Sequence, residues 1–207
     1  MQIADDNAQL LSDIKVEWNK AEQDIKLAEQ VCLKVVTPAV KELRYAGRRI
    51  VDALHHIKLG DDLPKAKEYL IDAKFDCMRA RHDAIDVATA KMAIDIEIMV
   101  EELGYEAILL AYPPFPELRK ELNRVRGLIA KSRGQRENRE NVYSGIETTV
   151  LEKIINLFNE MNAAEPMMRA FVSASRRASL RNLVMGVAGL IVGVIGLAFA
   201  LWDHFGH

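Results

Sequence analysis

From Leu183 to Trp202 the chain reads LVMGVAGLIVGVIGLAFALW, without a charge or a strong polar group. A helix of that length rises ~30 Å, the thickness of a bilayer's hydrocarbon core. This segment constrains the fold more than any other, because few soluble architectures bury such a run on all sides. It predicts a membrane-crossing helix near the C-terminus, with a five-residue tail beyond it. The segment is also striped: Gly186, Gly189, Gly193, Gly196 and Ala200 recur at steps of 3, 4, 3 and 4, on one helix face continuous with Asn182. Small residues let helix backbones approach closely in lipid, so this face is expected to associate with a copy of itself.

The remaining chain is helix-permissive and nearly neutral, with 28 Lys+Arg against 30 Asp+Glu and six Pro in 207 residues. MQIADDNAQLLSD is acidic and polar, unlike a signal peptide. Arg169, Arg176, Arg177 and Arg181 precede the apolar run and no Lys or Arg follows it. The positive-inside rule then puts the N-terminal part in the cytoplasm, which means the inner membrane if the source is bacterial.

Apolar residues from Leu11 through Ile14, Trp18, Ala21, Ile25, Ala28, Cys32 and Val35 to Ala39 alternate steps of 3 and 4. After one slip the pattern resumes through Leu43, Ala46, Ile50, Ala53 and Ile57, which predicts one long helix bent at Thr37-Pro38. LGDDLP ends it, and a second seam runs Ala66, Leu70, Ala73, Cys77, Ala80, Ala84, Val87, Lys91, Ile94, Ile98. The expected fold is all-α: a coiled-coil-like antiparallel hairpin over 1–111, on the order of 70 Å long. In that hairpin Cys32 falls beside Lys91 and Cys77 beside Ala46, about 20 Å apart and beyond disulfide reach. It also gathers the acid of Met1–Gln30 and Asp83–Glu106 into one acidic tip.

Tyr112-Pro-Pro-Phe-Pro breaks the chain, and 112–143 reads as a turn, a short helix on Leu118, Leu122, Val125 and Ile129, and a polar connector. Ser144 to Glu147 has the form of a capping box. A juxtamembrane helix over 144–182 is expected to run into the span (183–202) as a single rod kinked at Pro166, with a break at Asn162–Pro166 as the alternative; 203–207 form the tail.

Enzyme motifs are missing: no glycine-rich phosphate loop, GxSxG turn, HExxH or ExxH pair occurs. No catalytic residue, cofactor or metal is expected. Asp52 with His56 supplies two metal-type ligands, too few for a site, and His82 among Arg79, Arg81 and Asp83 reads as solvated. Asp203, His204 and His207 read as an ordinary polar end. Between Leu118 and Glu140 eight basic residues (Arg119, Lys120, Arg124, Arg126, Lys131, Arg133, Arg136, Arg139) face three acidic ones. That excess either neutralises acid elsewhere in the fold or attracts an anion: a nucleotide, a nucleic acid or a lipid headgroup.

The layout is similar to that of single-span effector subunits of bacterial abortive-infection systems, a likeness of architecture without a shared sequence motif. It implies a homo-oligomer assembled through its soluble helices and the glycine-striped span, a channel-forming or membrane-perturbing effector of antiviral defence, controlled through its cytoplasmic helices by an anionic ligand or a regulatory protein. The alternative is a tail-anchored scaffold or tether. SNARE-type fusion proteins also carry a C-terminal span after heptads, but here the longest heptads lie far from the span.

Overall fold

A proline in mid-helix costs a hydrogen bond and clashes with the preceding turn, whereas one in the first turn costs nothing. In the computed structural model of the chain Pro38 takes the second option. The structure describes residues 5–60, 62–134, 139–146 and 148–205. Helix α1 (Asp5–Cys32) stops at Leu33, which has a left-handed φ of 53°, and α2 (Thr37–Leu59) starts afresh with Pro38 in its first turn. Val36 is buried at this corner and its N–H donates to Glu29 Oε1. The expected single bent helix is therefore two helices, and the chain reverses over 33–36, ahead of the slip in the heptads between Ala39 and Leu43.

After Gly60 (φ 66°) helix α3 (Leu63–Leu103) begins, with the Asp62 side chain accepting from Lys65 N–H. Lys67 bonds Asp6 and Lys74 bonds Asp13, each pair 61 residues apart, so α1 runs parallel to α3. Arg49 pairs with Asp72 and Asp76, and Arg79 with Glu42, so α2 runs antiparallel to α3. The antiparallel hairpin of the sequence reading is thus corrected to three helices running up, down and up. The acidic tip goes with it, because the reversal carries Asp6 and Asp13 to the opposite end, onto lysines of α3.

Buried alanines line this packing: Ala21, Ala28, Ala39, Ala46, Ala53, Ala66, Ala73, Ala80 and Ala84. Small side chains allow close approach, which suits three helices sharing one core. Further along α3 the core shifts to Ile85, Ala88, Met92, Ala93 and Ile96, while Ile94 and Ile98 of the expected seam are exposed. Cys32 and Cys77 are both free and buried. Burial pushes both thiols up, Cys77 to about 12, and Lys91 neighbours Cys32 because Cys32 sits at the corner where the chain reverses, not through an antiparallel register.

Gly104 adopts φ 81° and ψ 148°, a conformation open to glycine almost alone, and ends α3 eight residues short of Tyr112. Short α4 (Tyr105–Ala111) follows, then α5 (Phe115–Gly134), whose buried face is Phe115, Leu118, Leu122, Val125, Ile129 and Ser132. Of the expected polar connector 132–134 belong to α5 and 139–141 to helix α6 (Arg139–Gly145), which also contains Ser144. Glu147, its partner in the capping reading, lies outside the described residues.

Helix α7 (Thr148–Ala163) buries Leu151, Ile154, Ile155, Phe158 and Met161. Ala164 interrupts the backbone ladder, and α8 (Glu165–Phe205) begins with Pro166 in its first turn. The single rod from Ser144 is therefore corrected to two helices, split where Pro166 cannot donate. Helix α8 itself is unbroken. The described residues are all-helical apart from turns and contain no strand.

Candidate functional site

Helix α8 is held at one end only. Met168 is fully buried, and Arg169 donates to Glu165 within α8 and to Glu102 of α3 at 3.1 Å. Val172 is the last partly buried residue, and from Ser173 to Val194 every residue with described surroundings is exposed. Leu183, Val184, Met185, Leu190 and Val192 are each more than 60% exposed, an apolar surface that a water-soluble monomer rarely presents. Helix α8 is long and apolar enough to cross a membrane.

A side-chain carbon added at Gly186, Gly189 or Gly193 would meet no atom within 4 Å, so the glycine face is open within one copy. Asn182 is exposed on the same helix, as is Ser175. The surroundings of Gly196 and Ala200 lie outside the described part, as does His207. The packing seam of α7 (Val150, Ile154, Leu157, Met161) reaches α8 through Met168 and ends at Val172.

The basic stretch splits into separate roles. Arg126 pairs with Glu97 at 3.8 Å, Arg133 with Asp86 at 3.2 Å and Arg124 with Glu121 at 2.9 Å. Arg119 lies over the rings of Tyr105 and Phe115, and Arg139 over Tyr143. Lys120 and Lys131 are exposed, and Arg136 lies outside the described residues. Arg126 and Arg133 line a 510 Å³ groove between α3 and α5, floored by Ala90, Ala93, Gly127 and Ala130, with Asp86 and Glu97 opposite. Both charge signs meet there, so these arginines balance carboxylates of α3. Such exposed pairs contribute about 0–1 kcal/mol each.

A buried ion network, which the sequence does not announce, joins α1, α3 and α6. Arg81 is 3% exposed; its Nε donates to Asp24 Oδ2 at 3.1 Å and its Nη2 to the Tyr143 carbonyl at 3.3 Å. Its Nη1 faces Glu140 at 3.4 Å. His82 Nε2 lies 3.0 Å from Glu140 Oε2, and its ring stacks on Tyr143 with centroids 3.9 Å apart. His82 is buried, which corrects its reading as a solvated residue. The Tyr143 hydroxyl donates to Asp86. Burial and that carboxylate push its pKa up to about 12, so it stays a neutral donor across physiological pH. Signals exist in hindsight: Asp24 sits between the core positions Ala21, Ile25 and Ala28, and Arg81 follows Ala80.

The network is rich in acid. Burial raises the pKa of Asp24, against the attraction of Arg81, and burial with nearby Asp86 raises Asp83; outside the network, burial also raises Glu42 of α2. A raised carboxylate binds its proton more readily folded than unfolded, so stability rises as pH falls through the folded pKa and levels off near the unfolded value, about 4. Melting temperature should therefore gain more between neutral pH and about pH 4 in the wild type than in Asp24→Asn. Equal slopes for the two proteins would contradict this assignment.

Among the described residues no three His, Cys, Asp or Glu side chains gather as a metal would require. Asp52 is engaged by Arg48, and His56 stacks on Tyr69. What the arrangement offers is a bundle locked by buried charge, with an apolar helix projecting from it. The chain matches no protein-family model, no curated protein and no solved structure, so its function rests on these residues alone.

Proposed function

We propose that this chain is a single-pass membrane protein, inserted through α8 over about Leu183–Trp202, with its bundle on the cytoplasmic side. It self-assembles through its soluble helices and the face of Asn182, Gly186, Gly189, Gly193, Gly196 and Ala200 and acts as a channel-forming or membrane-perturbing effector under control of the bundle. The observation that carries this reading is one unbroken helix, gripped at Met168 and Arg169 and exposed and apolar beyond. Its four arginines before the apolar run, with none after, support the orientation. Rigid continuity through Ser173–Asn182 supports transmission, since an α-helix passes a rotation or tilt along its axis. An anionic regulator, nucleotide or nucleic acid, would meet the exposed Lys120 and Lys131 before the paired arginines.

The tether reading has its own support. Residues Leu183–Val194 are apolar on every side of the helix, so the segment brings no polar side chain to a lumen, and conduction would depend on dewetting or on glycine backbone. Ion flux into liposomes, with oligomeric mass in detergent, separates the two. Gly189→Leu with Gly193→Leu should lower the oligomeric mass under either reading. Flux in the wild type that is abolished in this variant supports the effector; no flux from the wild type, even with 1–111 deleted, sinks it and leaves the tether. Oligomers retained in the variant would exclude the stripe as the interface.

A further inference from the structure

The arginines of α8 fall into two groups. Arg169 is taken by Glu165 and by Glu102 of the bundle. Arg176, Arg177 and Arg181 are exposed and form no ion pair among the described residues. Helix α8 holds no Asp or Glu between Glu165 and Asp203, so nothing on the helix itself neutralises them. The bundle's grip ends at Val172, which leaves them on a bare stalk. Counted back from Leu183 at ~1.5 Å per residue, Arg181 stands ~3 Å from the hydrocarbon edge, Arg177 ~9 Å and Arg176 ~10 Å. The headgroup region is roughly 5–7 Å deep on each side, and an arginine side chain extends far enough to enter it from any of these positions.

We propose that Arg176, Arg177 and Arg181 form a collar that binds anionic phospholipid headgroups and sets the depth of α8. The proposal rests on the reading of α8 as a membrane span. Each guanidinium can fork onto a phosphate oxygen pair, and the bilayer surface concentrates such groups at the height where the stalk presents them. The two neighbours Arg176 and Arg177 point about 100° apart, and Arg181 follows Arg177 by one turn, so the collar engages lipids on two sides of the helix. Ala174 and Ser175 before them and Ala178 after Arg177 are small, which leaves the headgroups room to approach. The bundle then hovers above the surface on the stalk, with its own acidic residues kept out of the anionic layer.

The test uses the full chain in phosphatidylcholine liposomes containing a trace of spin-labelled phosphatidylglycerol or spin-labelled phosphatidylcholine. The fraction of motionally restricted label reports which lipid surrounds the helix. The anionic label should be enriched at least about twofold, against a ceiling of roughly fivefold per arginine. Enrichment should vanish in Arg176→Gln, Arg177→Gln, Arg181→Gln and persist in Arg169→Gln. It should also fall at 1 M salt, where the Debye length is about 3 Å. Inorganic phosphate should compete no better than chloride at equal ionic strength; preferential competition would reassign the arginines to a free anion. No enrichment in the wild type, or enrichment kept in the triple variant, overturns the collar. Alkaline extraction separates this failure from that of the span: wild-type protein released from the bilayer refutes both, whereas protein retained without lipid preference refutes the collar alone.

Discussion

Arg81→Met should lower the stability of the bundle by about 3–5 kcal/mol, the penalty for stranding a buried charge. Met matches the length and apolar stem of Arg81 but leaves Asp24, itself fully buried, without the guanidinium that bonds it at 3.1 Å. One oxygen of Asp24 and one of Glu17 already lack a hydrogen-bond partner, so the remaining acid has nowhere to turn. The Tyr143 carbonyl loses one of its two donors at the same time and keeps the Ile146 N–H. In thermal unfolding of the detergent-solubilised chain this corresponds to a melting temperature lower by roughly 10 °C. Adding Asp24→Asn keeps the shape and removes the stranded charge, and should restore most of the loss. A double variant as unstable as the single one would mean that Arg81 acts by packing rather than by charge.

Tyr143→Ala is expected to cost about 3–5 kcal/mol, because it empties a site in which the ring is wholly buried. The ring carries α6: it stacks on His82, sits under Arg139 and bonds Asp86. Its loss should free α6 from α3, visible as faster amide exchange across Arg139–Gly145 with α5 still protected. Tyr143→Phe keeps the ring and removes only the hydroxyl, for about 1–2 kcal/mol, since Asp86 retains Arg133. Equal losses from both substitutions would show that the hydroxyl, not the ring, anchors α6. Arg81 and Tyr143 share a contact, so their combined cost should differ from the sum, and a double-mutant cycle would give the coupling.

Both predictions fall on residues that periodicity does not expose. A heptad seam states which face of a helix is buried but not what covers it, nor in which direction the partner runs. The seam residues Ile14, Ala21, Ile25 and Ala28 are buried as their spacing implies, yet the same spacing fits a parallel or an antiparallel neighbour. The choice was made at Leu33, a non-glycine residue in a left-handed conformation, where no turn signature stands in the sequence. With the direction hidden, the register that brings Asp24 to Arg81 was hidden too. Tyr143 escaped for another reason: one aromatic in a polar run has no period to reveal it. By contrast Leu118, Leu122, Val125 and Ile129 of α5 were legible, because a single amphipathic helix carries its own pattern.

The sequence by itself determined the helical class, the apolar character of Leu183–Trp202 and its glycine face, because these are local properties of composition and spacing. They hold whatever the segment packs against. Only the tertiary structure decided the reversal at Leu33, the parallel pairing of α1 with α3, the buried Arg81 network and the fate of the basic stretch. Each of those depends on which distant side chains come within a few ångströms, a question of chain direction and register that no single helix encodes. The split at Ala164 lies between the two: Pro166 signalled a disturbance, and packing of Met168 and Arg169 against the bundle set where α8 starts and where it comes free.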